Sequence, residues 1–463
     1  MVGILLSSKR EGVTMLTLLL LIILTGIIGI LSYYWFKKVL LSPTIISCGM
    51  FLLFEIIYIF FFNYIKYEIS IQTVLVIVGY LFFTFIGEFI ARKLVIKKSK
   101  NLLKKERYYV HTSKYWTYFI FLIALIVAIY RFYDLYKFSL TIGNNQGILG
   151  TLSSTRLAYA FGEYTGGNIL ISLVTIMIEI SCYTYIYFFL NNWILYKIII
   201  KRNLLPIIGY CLIVISFNNR TEYLKIAFSF LIVLLYFIYS YPNVLNIKKG
   251  VMKKIIKFSI MLSILFFCYG NLTREKKENS NIKSEIIAYS TAGIIGLDNY
   301  LNTPWEKNPY FGYYTLQNMY DFVGAKHSNT PQKHLPFFIY NQRGDSSNIY
   351  TSLVLPIQDY GVIGMLLISM IFSFACTKIF LATLHTNIGK KFFLTLTCSS
   401  LVGYMYIFAP IADRFYNYFL SPATVIKYTI YAYLVLHIIC KYKLIRNEKI
   451  VMHKCYLNDM KEV

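Results

Sequence analysis

Charge is scarce in this chain, and acid is scarcer than base. Only 14% of the 463 residues are Asp, Glu, Lys or Arg, with Lys and Arg numbering 46 against 21 Asp and Glu. The rest is 57% hydrophobic with a mean hydropathy of +0.57, more apolar surface than a soluble domain of this size could bury. The eight cysteines show no CxxC spacing and avoid the longest polar stretch, which argues against a disulfide framework or a zinc site. GxxxxGK[ST], HExxH and DxD are all missing, so ATP hydrolysis, metal-dependent hydrolysis and nucleotide-sugar transfer have no foothold, and no cofactor or metal is expected. Internal repeats and low-complexity tracts are missing too.

What remains is an all-α polytopic integral membrane protein. A crossing needs roughly 20 apolar residues, and that rule predicts about 11 transmembrane helices (10–13), near 15–36, 43–63, 69–90, 115–133, 168–190, 204–217, 223–241, 255–269, 350–374, 392–410 and 422–440. The sixth and eighth are short, as broken helices beside a cavity often are. The first is too long for a signal-peptide core and is read as a retained span. The net charge of +25 is concentrated between apolar segments, so the positive-inside rule accounts for it and nucleic acid is discarded as a partner. Arg92 to Lys114 holds nine basic residues, and Lys248, Lys249, Lys253, Lys254 and Lys257 form a second cluster. Both are assigned to the cytoplasm, and the tail after Cys440 follows by parity. The chain then divides into spans one to eight with short loops (1–269), a large external loop (270–349), spans nine to eleven (350–440) and a basic cytoplasmic tail (441–463).

The short cytoplasmic loops offer nowhere to fold an enzyme domain, so chemistry is expected outside. Three isolated arginines fall at comparable external places: Arg220 in SFNNRTEYLK, Arg274 in GNLTREKK and Arg343 in YNQRGDSSN. A guanidinium keeps its charge and presents a planar fork of donors that matches a phosphate, which makes the trio candidates for a diphosphate. The plainer alternative is that each reaches to lipid headgroups or pairs with Glu222, Glu275 or Asp345. His327 and His334 are the histidines of the external loops and candidate general bases. Asp298, Asp321, Asp345 and Asp359 are the competing carboxylates, and Asp345 could equally orient Arg343. The large loop is also rich in rings, among them Tyr300, Trp305, Phe311, Tyr314, Phe322 and Phe338. Interleaved with Asn, Gln, Asp and Ser, they suit a saccharide groove or an amphipathic cap on the membrane surface.

The run NIYTSLVLPIQDYGVIGMLL (Asn348 to Leu367), with the arginines of SFNNRTEYLK and NLTREK and the long late loop, resembles the oligosaccharide repeat unit polymerases, the Wzy-type O-antigen and capsule polymerases of bacteria. The resemblance covers the topology of the whole chain, while its local motifs are short. It implies a GT-C-like glycosyltransferase, independent of metal and nucleotide, in the bacterial cytoplasmic membrane with its site facing outside. Donor and acceptor would both be glycans on undecaprenyl diphosphate, within membrane lipid, and a flippase and a chain-length regulator would be further partners. Arg220, Arg274 and Arg343 would then hold diphosphate, Arg156 and Arg414 the acceptor lipid, and His327, His334 or Asp345 would act on the acceptor hydroxyl. Two other readings stay open. A flippase would carry the same arginines but should show two similar halves and short outer loops, and a ligase would share the donor and differ in the acceptor.

Overall fold

The computed structural model describes residues 2–36, 39–96, 106–142, 151, 155, 168–216, 221–241, 282–305, 310–323, 335–342, 344–416 and 421–446. Besides the four-residue helix Phe62–Ile65, twelve α-helices organise them: α1 (Val2–Trp35), α2 (Pro43–Phe60), α3 (Ile71–Ile96), α4 (Lys114–Thr141), α5 (Ile169–Tyr196), α6 (Leu205–Ser216), α7 (Thr221–Ser240), α8 (Ile282–Asn302), α9 (Gln317–Phe322), α10 (Val354–His385), α11 (Lys390–Phe408) and α12 (Pro422–Leu434). Among the described residues sheet is confined to two short antiparallel pairs, β1 (Tyr108–Thr112) with β4 (Tyr442–Arg446), and β2 (Phe338–Ile339) with β3 (Ser346–Ser347).

Among the described residues, eight helical stretches are long and apolar enough to cross a membrane: Met15–Trp35, Pro43–Phe60, Ile71–Leu94, Lys114–Thr141, Ile169–Tyr196, Glu222–Ser240, Val354–His385 and Lys390–Phe408. The protein is therefore an all-α membrane protein, and these eight match eight of the predicted spans. The predicted sixth span is the 12-residue α6. The eleventh is α12, whose 13 residues run on into one π-helical turn, Val435–Ile439. The eighth lies outside the described residues. A difference arises in the predicted external loop, read as lacking helical period: it carries the 21-residue α8, with Ile287, Ile294, Ile295 and Leu297 fully buried.

The chain divides into two compact units that interleave along the sequence, Met1–Lys100, Ser280–Leu381 and Val402–Ile426 in one, Asn101–Asn279, Ala382–Leu401 and Lys427–Val463 in the other. In the first unit, α1, α2 and α3 pack on one another and α8 packs on α2 and α3. Their shared core runs from Leu21, Phe51 and Tyr58 through Ile77 and Leu81 to Ile295, Tyr350 and Val354. Where α3 meets α10, the residue is Gly87, because a side chain there would strike the Met370 carbonyl; small residues let membrane helices approach this closely. Ser42 caps α2 ahead of Pro43, the position where a missing N–H costs nothing. Glu88 of α3 completes the cap, accepting from Ser42 Oγ at 2.6 Å and from Thr44 N and Oγ1 at 3.2 and 2.8 Å. Its other oxygen holds Arg92 of the next turn at 2.6 Å, so both charges are buried and paired.

In the second unit, α6 lies along α4 and α5, and α7 along α5. Ring packing fills the interior: Tyr187 stacks on Phe237 at 5.4 Å and meets Phe392 and Phe393 edge-on. The β1–β4 pair closes one end. Asn192 imitates a third strand there, accepting from Val110 N at 3.0 Å and donating to Val110 O at 2.8 Å. Thr112 bonds Asn203 and Arg202, and Tyr241 reaches Glu106 O, so 106–113, 191–203, Tyr241 and 440–446 share that end.

Candidate functional site

One end of the first unit collects segments that the topology assigns to the same membrane side: 61–70, 298–316, 335–352 and 409–416. A carboxylate organises the first two. Asp298, fully buried on α8, accepts from Ser70 N, Ser70 Oγ and Thr73 Oγ1 at 2.6 Å each, and from Tyr67 OH and Asn302 Nδ2 at 3.2 and 3.1 Å. It sits at the positive N-terminus of α3, where an anion is stabilised and the first N–H groups need partners. With five donors on two oxygens, Asp298 is committed to architecture. Burial and the Asp298 charge push the Tyr67 hydroxyl pKa up, which keeps it a donor.

The described residues from Phe338 to Gly364 are built in three parts. First comes the β2–β3 hairpin, Phe338 opposite Ser347 and Ile339 opposite Ser346. Asp345 turns it: its N–H donates to Asn341 Oδ1 at 3.0 Å, its carboxylate accepts Asn341 Nδ2 at 2.8 Å, and Tyr64 OH lies 3.4 Å away. The carboxylate is nonetheless exposed. Second, Ser352 N donates to Ala409 O at 2.8 Å, so the chain leaving the hairpin is tied to the chain leaving α11. Neither Asn348 nor the Ser346–Ser347 pair is an N-cap, because the helix starts only at Val354 and Ser347 Oγ accepts Ile349 N. Third, α10 is broken almost at once. Gly361 has φ 70° and ψ 176°, a left-handed φ foreign to a helix, so Val354–Tyr360 is a short half-helix ahead of the long one.

Just before the break, Asp359 gathers the ring-rich loop. It accepts Tyr314 N at 3.2 Å, Thr315 N at 2.7 Å and Thr315 Oγ1 at 2.8 Å, and Thr315 also meets the Tyr360 hydroxyl. Gln358 takes the Tyr300 hydroxyl at 2.7 Å. Burial, with the Asp359 charge nearby, pushes the Tyr300 pKa up to about 12 and raises that of Tyr314 in the same sense. Both phenols are hydrogen-bond donors at neutral pH and not bases.

The rings expected to line a groove divide into two sets. Trp305 packs edge-on against Tyr300 and Tyr350 at 5.0 and 5.3 Å, and Phe338 against Tyr350 at 5.0 Å. Those rings are core. Tyr310, Phe311, Phe322 and Phe337 are exposed.

Of the residues predicted for the site, Asp345 and Arg414 are described. Arg414 is half-buried after α11, its guanidinium 6.0 Å from the Phe408 ring centroid, while the neighbouring Asp413 caps the backbone N–H groups of Phe415 and Tyr416. Arg156, Arg220, Arg274, His327, His334 and Arg343 lie outside the described residues. Glu222, one of the carboxylates considered as a partner for an arginine, is held by Lys225 at 2.6 Å and by Tyr210 at 3.1 Å. Sequence reasoning missed Asp298 as a helix cap and Gly361 as a break. An aspartate directly after the apolar GIIGL and a glycine straight after Asp-Tyr were the local signals for them. Among the described residues no group of three or more His, Cys, Asp or Glu side chains is gathered to hold a metal ion. No protein-family model, curated protein or solved structure matches the chain.

Proposed function

We propose that the protein polymerises undecaprenyl-diphosphate-linked oligosaccharide repeat units at the outer face of a bacterial cytoplasmic membrane. One observation carries this reading. The Asp359-Tyr360-Gly361 triplet, at the heart of the polymerase-like run, coincides with a helix break beside an aromatic, carboxylate-bearing loop. Interrupted helices in membrane proteins typically face a cavity, since non-helical backbone needs polar company at that depth. In this reading the acceptor sugar hydroxyl attacks the anomeric carbon of the donor with inversion, its proton passes to a base, and undecaprenyl diphosphate departs. Asp345, an exposed carboxylate at the same end, is a base candidate beside His327 and His334. Arg220, Arg274 and Arg343 would stabilise the charge growing on the leaving diphosphate, and Arg156 and Arg414 the acceptor lipid. Loss of one such donor costs roughly a hundred- to a thousand-fold in rate.

We also propose a GT-C-like arrangement with eleven crossings. Asn203 and Tyr241 share the β1 end of their unit, so α7 must be matched by a crossing in the other direction. The 12-residue α6 supplies that crossing. One more change of side is then needed between Tyr241 and Asp298, for which 255–269 and α8 are the candidates.

The test is the surface glycan of a deletion strain, resolved by chain length on a gel. Loss of the polymer ladder with single repeat units kept on their carrier is the expected result. Units stranded in the inner leaflet would instead indicate flipping, and full-length polymer left on its carrier would indicate a ligase. Arg343→Lys, expressed normally with an unchanged ladder, would remove Arg343 from the diphosphate site.

A further inference from the structure

The loop gathered by Asp359 has two chemically different edges. Its inner edge is polar: the N–H groups of Tyr314 and Thr315 and the Thr315 hydroxyl are spent on Asp359. Its outer edge is apolar. Phe311 is 74% exposed and Val323 72%, with Tyr310, Met319 and Phe322 also turned outward. The loop is compact, since Tyr320 OH donates to Phe311 O at 2.7 Å and Leu316 N to Gly312 O at 2.7 Å.

What the outer edge adjoins identifies its environment. The Phe311 ring stands edge-on to Tyr360 at 5.1 Å, and Tyr360 immediately precedes the break at Gly361. On the far side of the break, Ile363, Leu367 and Ile371 follow one another at four-residue spacing and are all exposed, Ile363 by 76%. Side chains four apart share one face of a helix. In a helix long and apolar enough to cross a membrane, such an exposed stripe of Ile and Leu faces hydrocarbon. The apolar edge of the loop therefore continues the lipid-facing stripe of α10 around its broken end.

We propose that Tyr310–Val323 is a lipid-seated flap, its outward rings and aliphatic groups immersed in the interfacial region of the bilayer beside α10, with Asp359 pinning its inner edge. The partner is bilayer lipid. Bulky apolar groups with few charges are the composition that partitions into this region, and aromatic rings are favoured at its boundary. The sequence YFGYYTLQNMYDFV contains one acidic residue and no basic one, as a segment held by burial of apolar area would.

The experiment uses the full chain reconstituted in phosphatidylcholine vesicles. Phe311→Trp and Phe322→Trp are compared with the parent protein, and Ile363→Trp serves as a lipid-facing reference. Added emission from the two flap variants should be lost when the lipids are brominated near the headgroup end of the acyl chain, and acrylamide in the water should leave it largely intact. Quenching by acrylamide with brominated lipid silent overturns the proposal in favour of a water-facing platform. Protection from both quenchers overturns it in favour of a protein contact. A second measurement needs no substitution: a phosphatidylcholine carrying a diazirine in its acyl chain should leave its adduct on the 310–323 peptide after irradiation, and adducts on the α10 peptide but none on 310–323 would refute the flap. Neither readout depends on glycan synthesis, so the flap and the polymerase reading fail separately.

Discussion

Replacing Gly361 by alanine isolates the cost of the break in α10. At φ 70° and ψ 176° the residue occupies a region that essentially only glycine adopts, and forcing an L side chain into such a conformation costs about 1–3 kcal/mol. A Cβ added at Gly361 would meet nothing within 4 Å, so steric crowding contributes nothing and the penalty is one of backbone conformation alone. Gly49 in α2 is the matched control. It too has open space around it, but its backbone is helical, so Gly49→Ala should be neutral or stabilising by up to about 1 kcal/mol. Membrane proteins of this size commonly unfold irreversibly, so the assay is the fraction of monodisperse protein left after heating in detergent, read against temperature. Gly361→Ala should lose its folded fraction at a lower temperature than the parent, and Gly49→Ala should not. The chain could escape the penalty only by closing the break into a continuous helix, which would swing Asp359 away from Thr315 and free the 312–315 loop to proteolysis. Identical heat resistance and identical protease resistance in Gly361→Ala and the parent would refute the reasoning.

Two further outcomes follow from buried polar groups. Glu88→Gln leaves Arg92 charged and buried with weakened compensation and should cost about 3–5 kcal/mol, whereas Glu55→Gln, at a carboxyl whose contacts are one hydrogen bond from Thr25 and a second oxygen without a partner, should cost under about 1 kcal/mol; the same heating assay ranks the two, and equal losses would contradict it. For Tyr300 the fold favours the neutral phenol, so its stabilisation is complete below the ordinary tyrosine range near pH 10 and is lost as pH rises towards about 12. Tyr300→Phe should show a shallower decline of stability across that window, and a decline as steep as the parent's would assign the alkaline sensitivity elsewhere.

The parts of this fold that the sequence reveals are those decided locally. A run of apolar residues long enough to cross a bilayer declares itself without reference to the rest of the chain, and the predicted first span, 15–36, lies within a residue of Met15–Trp35. The helix α8 escaped because SEIIAYSTAGIIGLDNYLN mixes Ser, Thr, Asp and Asn among its apolar residues. Its burial comes from α2 and α3, far earlier in the chain, and no local window contains them. The β1–β4 pair is hidden for the same reason, since its strands are separated by most of the chain. Within the candidate site, the aromatic loop and the Asp-Tyr-Gly triplet were visible as composition. The division of the rings into core and exposed sets was not, because a ring's fate depends on which neighbours the fold delivers. Asp345 was weighed as the orienter of Arg343, which lies outside the described residues; the contacts it shows are with Asn341 and Tyr64.

The cap that Asp298 provides also has a direction in time. Ser70 waits 228 residues for the carboxylate that receives its N–H and hydroxyl. A ribosome that has released α3 into the membrane has therefore made a helix whose leading Ser70 N–H and hydroxyl have no such acceptor, and they remain so while several further helices are threaded. Locking comes late, when α8 emerges and docks. Chains interrupted before Ile282 should accordingly be cut by protease between Tyr64 and Thr73, and chains that include Asn302 should resist, which would make the arrival of α8 the step that commits the first unit to its final form.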